Sequence, residues 1–177
     1  MLFGLSLLRV FNKPVPDVFR DEIMNPIGAS NTWRWIPYHN SWVDLNGRKV
    51  ASVSGGTRWG GGMWINSYDM ARFGYLWLRG GKWGDKQVLP PAFVKEALTQ
   101  GGVANSPGNG YGYLWWLNTT GKALAGLPTN AYSANGAGSN TITVSPDHDL
   151  VVVWRWHQGS AGEFARRVVA AIKPGTM

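Results

Sequence analysis

Leu150-Val151-Val152-Val153-Trp154-Arg155-Trp156 decides the fold class. It opens on an unbroken aliphatic run rich in β-branched residues, bounded by turn formers, and reads as a strand buried on both faces at its start. Ser145-Pro146-Asp147-His148-Asp149 just before it is a reverse turn. The segment upstream must therefore return antiparallel. There Thr141 and Thr143 alternate with Ile142 and Val144, and one strand is read from Tyr132 to Val144. Tyr111-Gly112-Tyr113-Leu114-Trp115-Trp116-Leu117 reads as a further strand. On the other side, Ser160 and Glu163 form a capping box. Phe164, Val168 and Ile172 then line one face of a helix ended by Pro174-Gly175. A helix that follows three strands covers the sheet they form. The class is α+β, an antiparallel sheet covered by helices.

The first half reads differently. An apolar helix begins at Met1 and runs through Val10. Val15, Val18, Phe19 and Ile23 make a second helical stripe, opened by Pro16 and Asp17 and stopped by Pro26 and Gly28. From Ser30 to Gly62 the pattern is loops and short strands, with Leu45-Asn46-Gly47-Arg48 as a hairpin turn. A helix then starts at Asn66, whose side chain accepts from the N–H of Asp69 while the Asp69 carboxylate reaches back. Met70, Phe73 and Trp77 form its inner face, and Gly80-Gly81 ends it. Trp83-Gly84-Asp85 is a turn. Pro90-Pro91 opens a further helix with Val94, Ala97 and Leu98 inward, closed by Gly101-Gly102 before a polar loop from Asn105 to Gly110. No linker divides the chain, which reads as one domain over residues 1–177.

Composition excludes several chemistries. The 177 residues contain no cysteine, so disulfides, thiolate metal sites and a cysteine nucleophile are ruled out together. Lys and Arg outnumber Asp and Glu by 17 to 10, a formal +7 that favours anionic partners. The cations are scattered along the chain, so no nucleic-acid footprint is expected. The longest apolar run is too short to span a bilayer, and it lacks the flanks of a signal peptide. His39, His148 and His157 have no metal-ligand spacing, and neither metal nor cofactor is expected. A Gly-x-Ser-x-Gly elbow is absent, and Gly60-Gly61-Gly62 lacks the Lys-Ser/Thr of a phosphate loop.

The segment with chemical promise is Tyr132-Ser133-Ala134-Asn135-Gly136-Ala137-Gly138-Ser139-Asn140. Its small residues leave a strand edge bare, so a substrate carbonyl could lie against backbone N–H groups able to stabilise an oxyanion. On local sequence alone a Gly-rich turn entering a strand is the better explanation.

Five segments occur in an order that resembles one family. Gly60-Gly61-Gly62-Met63-Trp64-Ile65-Asn66-Ser67-Tyr68-Asp69-Met70-Ala71-Arg72-Phe73-Gly74 is similar to the "GGG … S-x-x-D-x-A-R-F-G" stretch of the β-lactamase-related serine hydrolases. These are the class C β-lactamases, penicillin-binding proteins and related esterases. Gly80-Gly81-Lys82-Trp83 to Pro91, Tyr111 to Trp116, Asn135 to Val153, and Phe19 to Trp33 resemble further segments of that family.

The resemblance implies acyl transfer to water from a small ester, amide or β-lactam through a serine acyl-enzyme. It puts Gly136-Ala137-Gly138 at the family's third motif, with the backbone N–H of Ser139 as an oxyanion donor. Asn140, His157, Trp59 and Trp64 are candidate substrate contacts. Gly136 replaces the usual cationic or hydrogen-bonding first position, which puts recognition of a substrate carboxylate in doubt.

The attacking group is missing. No serine in the chain is followed three positions later by lysine. Tyr38-His39-Asn40 has the letters of the family's second motif but lies on the wrong side of the Phe19–Trp33 segment. The expectation is a C-terminal half of such a hydrolase, inactive alone, with uncovered surfaces open to self-association. The rival reading is a non-catalytic carbohydrate- or ligand-binding module. Exposed tryptophans in a row on one sheet face would favour the rival; tryptophans buried between helix and sheet would favour the hydrolase.

Overall fold

The computed structural model describes residues 2–53, 61–99, 101 and 110–172. The expectations that fall on Trp59, on the Gly102 stop, on most of the Asn105–Gly110 loop and on Pro174-Gly175 lie outside them. The chain forms two compact units, residues 1–69 and 70–177, mixing helices with antiparallel sheets. Among the described residues no helix is long and apolar enough to cross a membrane.

The first unit begins with α1 (Leu2–Phe11) and α2 (Val15–Phe19). The second stripe does not stay α-helical throughout, because Arg20–Met24 continue it as a wider π-helical turn. Gly28, at φ 64°, then takes the chain away. Two small hairpin-like sheets follow. β1 (Arg34–Pro37) pairs with β4 (Gly61–Trp64), and β2 (Trp42–Leu45) with β3 (Arg48–Ala51). Asn46 and Gly47 both have positive φ, at 53° and 78°, as the Asn-Gly turn requires.

In the second unit, helix α3 (Ser67–Leu78, with Met70 onward in this unit) lies on the main sheet. Gly74 is the contact point: a Cβ there would come within 2.7 Å of both Ile142 and Val151. β5 (Lys82–Trp83) and β6 (Lys86–Gln87) form the short hairpin around Gly84. Helix α4 (Pro91–Ala97) buries Val94 and Ala97.

The main sheet has five antiparallel strands rather than three. They are β7 (Gly110–Tyr111), β8 (Trp116–Leu117), β9 (Tyr132–Gly136), β10 (Asn140–Ser145) and β11 (Leu150–Trp154), in the order β11-β10-β9-β8-β7. Two sequence expectations are corrected here. Tyr111–Leu117 is a hairpin, not one strand. Leu114 takes φ 64°, and the Gly112 N–H donates to the Trp115 carbonyl at 2.9 Å. The bend carries Trp115 into an aromatic cluster, with ring centroids 4.9 Å from Trp77 and 5.1 Å from Tyr132. Burying that indole outweighs continuing the extended run. Likewise Tyr132–Val144 is two strands joined by Ala137-Gly138-Ser139, with Gly138 at φ 73° and Ser139 at φ 54°.

The final helix α5 (Ala161–Ala171) covers the sheet as expected. Phe164, Ala165, Val168 and Val169 pack with Leu124, Leu127, Ala131 and Val152. Ser160 accepts from the Glu163 N–H, but Glu163 does not return the bond. Its carboxylate is taken by Arg166 and Arg167. Asp69 keeps both halves of its expected exchange: its N–H donates to Asn66 Oδ1, and its carboxylate accepts from Asn66 Nδ2 as well as from Ser30.

Candidate functional site

β9 pairs with β10 along its whole length but meets β8 only at Tyr132 and Ser133. Beyond Ser133 the β8 side of Ala134, Asn135 and Gly136 has no paired strand among the described residues. A short neighbour thus leaves a bare edge, and this edge runs into the exposed hairpin tip at residues 137–139.

Side chains around the tip hold it in shape. Asn140 Nδ2 donates to the Ala137 carbonyl at 2.7 Å, and Arg155 Nε donates to Asn140 Oδ1 at 3.1 Å. Trp156 lies so close over Gly138 that any Cβ there would overlap its ring. The His157 N–H points at the Ser139 carbonyl at 3.5 Å, at the limit of a hydrogen bond.

A cleft of about 340 Å³ lies between this sheet face and the start of α5. Gly136 and Ser139 line it together with Trp116, Ser133, Asn135, Thr141, His157 and Ser160. Strand alternation explains the set, since Trp116, Ser133, Asn135 and Thr141 share one face of the sheet through their cross-strand register. Among the described residues, no Lys, Arg, Asp or Glu lines the cleft. His157 stacks on Trp154 with centroids 4.1 Å apart. Its Nδ1 is 2.9 Å from the Gly159 carbonyl, which only accepts, so Nδ1 carries the proton. Nε2 is buried and without a hydrogen-bond partner.

The cleft brings together Gly136, Ser139 and His157 of the candidates read from sequence. Ala137 and Gly138 form the turn beside it, and Asn140 is occupied in bracing that turn. Trp64 is exposed at the end of β4 in the first unit and does not line this cleft. Ser133, Asn135, Thr141, Trp116 and Ser160 were not singled out by sequence. The period-2 spacing of Ser133 and Asn135 opposite Thr141 was the available signal. His148 shares a 2.8 Å hydrogen bond with the buried Ser145 Oγ, which braces the turn.

The tryptophans divide. Trp33, Trp77 and Trp115 are buried. Trp42, Trp64 and Trp156 are exposed, but they lie on β2, on β4 and after β11, and form no row on one sheet face.

The site thus stands on an antiparallel sheet covered by helices, with an open edge at a Gly-rich hairpin. The family model described as Beta-lactamase matches residues 1–173, and the chain belongs to that family. Two solved structures share the fold. One is EstCE1, a hydrolase with promiscuous acyltransferase activity, at 18% identity over 95% of this chain and 53% of that one, TM-score 0.64. The other is a penicillin-binding protein homolog from Caulobacter crescentus, at 17% identity over 94% of this chain and 53% of that one, TM-score 0.61. This chain spans about half the length of each. No curated protein matches it.

Proposed function

We propose that this chain supplies the carbonyl-holding wall of a serine acyl-transfer site, for a small ester, amide or β-lactam. The observation that carries the reading is the exposed Gly136–Ser139 tip beside the bare edge of β9, opening on a cleft. In this reading the Ser139 N–H donates to the developing oxyanion at about 2.7–3.1 Å. Backbone donors suit this task because they are fixed before charge develops. Among the described residues the cleft lining carries no cationic Lys or Arg, which favours an uncharged acyl group over one bearing a carboxylate.

The nucleophile comes from elsewhere in this reading, because the sequence has no Ser-x-x-Lys. A serine Oγ from outside residues 1–177 attacks the carbonyl carbon, and its proton passes to a neighbouring base. The leaving group departs protonated, and water then cleaves the acyl ester. The chain alone is expected not to turn over substrate. Incubation with a fluorophosphonate probe and a chromogenic ester tests this. The expected result is an unchanged intact mass and background hydrolysis only. A covalent adduct on any serine of the chain would overturn it.

A further inference from the structure

The main sheet ends on a strand paired from one side only. Among the described residues β11 is hydrogen-bonded to β10 and to no strand beyond it. Helix α3 meets one face of β11, where Gly74 touches Val151, and α5 covers Val152 on the other. The open side therefore lies in the plane of the sheet. Burial agrees. In β10, flanked by strands on both sides, Thr141 to Ser145 are all buried, whereas in β11 only Val152 is.

Natural edge strands are blunted by lysine, proline, bulges or short length. Leu150-Val151-Val152-Val153-Trp154 carries no charge and no proline, and it pairs with β10 in unbroken register over its whole length. Its outward N–H and C=O groups are a template for another strand. The run is also its own complement. Turned antiparallel about Val152, it sets Leu150 against Trp154 and Val151 against Val153 of a second copy, apolar pairs that stabilise a sheet. One step further out, Asp149 falls opposite Arg155 at both ends. Asp149 is more than half exposed beside Arg79, so it has room for a second cation.

The covering helix fits this arrangement. Gly74 sits over the gap between Ile142 of β10 and Val151 of β11. With strands about 4.8 Å apart, that gap lies about one spacing from the axis, which places the two α3 helices about 10 Å apart, within packing distance.

We propose that β11 pairs antiparallel with β11 of a second copy about a two-fold axis at Val152, joining the two main sheets into one. The contact is closed by its symmetry, so it yields a dimer and not a fibre. It does not depend on the acyl-transfer reading.

The test is sedimentation of the whole chain over a dilution series, with amide hydrogen exchange at its two ends. The mass should rise from one chain to two with no larger species, and the β11 amides should exchange about tenfold more slowly in the dimer. The chain has no cysteine of its own, so Val152→Cys reports the register. Directly opposed residues lie about 4.5–5.5 Å apart between Cα atoms, within reach of a disulfide. Oxidation should therefore cross-link Val152→Cys into dimers. It should leave Leu150→Cys, about 13 Å from its twin, uncross-linked. The wild-type measurements stand on their own if a cysteine variant fails to fold. A monomer at every concentration, larger open assemblies, a dimer whose β11 amides exchange unchanged, or cross-linking of Leu150→Cys in preference to Val152→Cys would each overturn the proposal.

Discussion

Ser30 donates twice to Asp69, from its backbone N–H at 2.9 Å and from its hydroxyl at 2.6 Å, across 39 residues of chain. Asn66 Nδ2 adds a third donor at 2.8 Å. Asp69 is 2% exposed, so its charge is carried by these bonds rather than by water. They pin the loop after Gly28 to the first turn of α3. Asp69→Ala should cost about 2–4 kcal/mol, because it strands three part-buried donors at once. Ser30→Ala should cost about 1–2 kcal/mol. Urea midpoints at unchanged slope measure both. Losses below about 0.5 kcal/mol for the pair would mean that the network is incidental.

The hairpin tip depends on glycine for two separable reasons. Gly138 has φ 73°, and its missing Cβ makes room for the Trp156 ring. Gly138→Ala should cost about 1–2 kcal/mol for the left-handed backbone, plus the displacement of the ring. In a Trp156→Ala background only the backbone part should remain. A double-mutant cycle should therefore return a coupling of about 1 kcal/mol. An identical cost with and without the indole would show that the ring does not define the tip.

Acid should loosen the last helix. Arg166 and Arg167 hold the Glu163 carboxyl down at about 2, from an ordinary 4.5. A carboxyl depressed on folding stabilises above its unfolded value and loses that contribution as pH falls through the folded one. Wild type should thus exceed Glu163→Gln in stability above about pH 4.5. The two should converge near pH 2. Because the pair is exposed, added salt should narrow the gap. A gap that persists unchanged to pH 2 would assign the stabilisation to capping instead.

Sequence legibility followed the range of the interactions. Local signals held: the Asn46-Gly47 turn, the Gly80-Gly81 stop, the Pro90-Pro91 start and the Ser160 cap are all where short-range rules put them. Failures came where distant contacts overrode local preference. Nothing near Leu114 announces a left-handed residue. The bend exists because Trp115 finds Trp77 and Tyr132. Glu163 has a capping-box letter, but Arg166 and Arg167 take its carboxylate, while Asp69 keeps its exchange with Asn66 and adds the distant Ser30. The Gly136–Ser139 segment was legible as a Gly-rich turn beside a bare strand edge. Its cleft was not, since Trp116 and Ser160 reach it only through sheet register and the placement of α5.

The most direct test of the carbonyl-holding wall is an amide titration with methyl phenylphosphonate, whose tetrahedral anionic head imitates the species that an oxyanion site stabilises. The account predicts that the Ser139 N–H moves furthest downfield, with Gly136 and Asn140 following, and that the anion still binds at high salt. Shifts confined to scattered surface cations, with residues 136–140 unmoved, would contradict it.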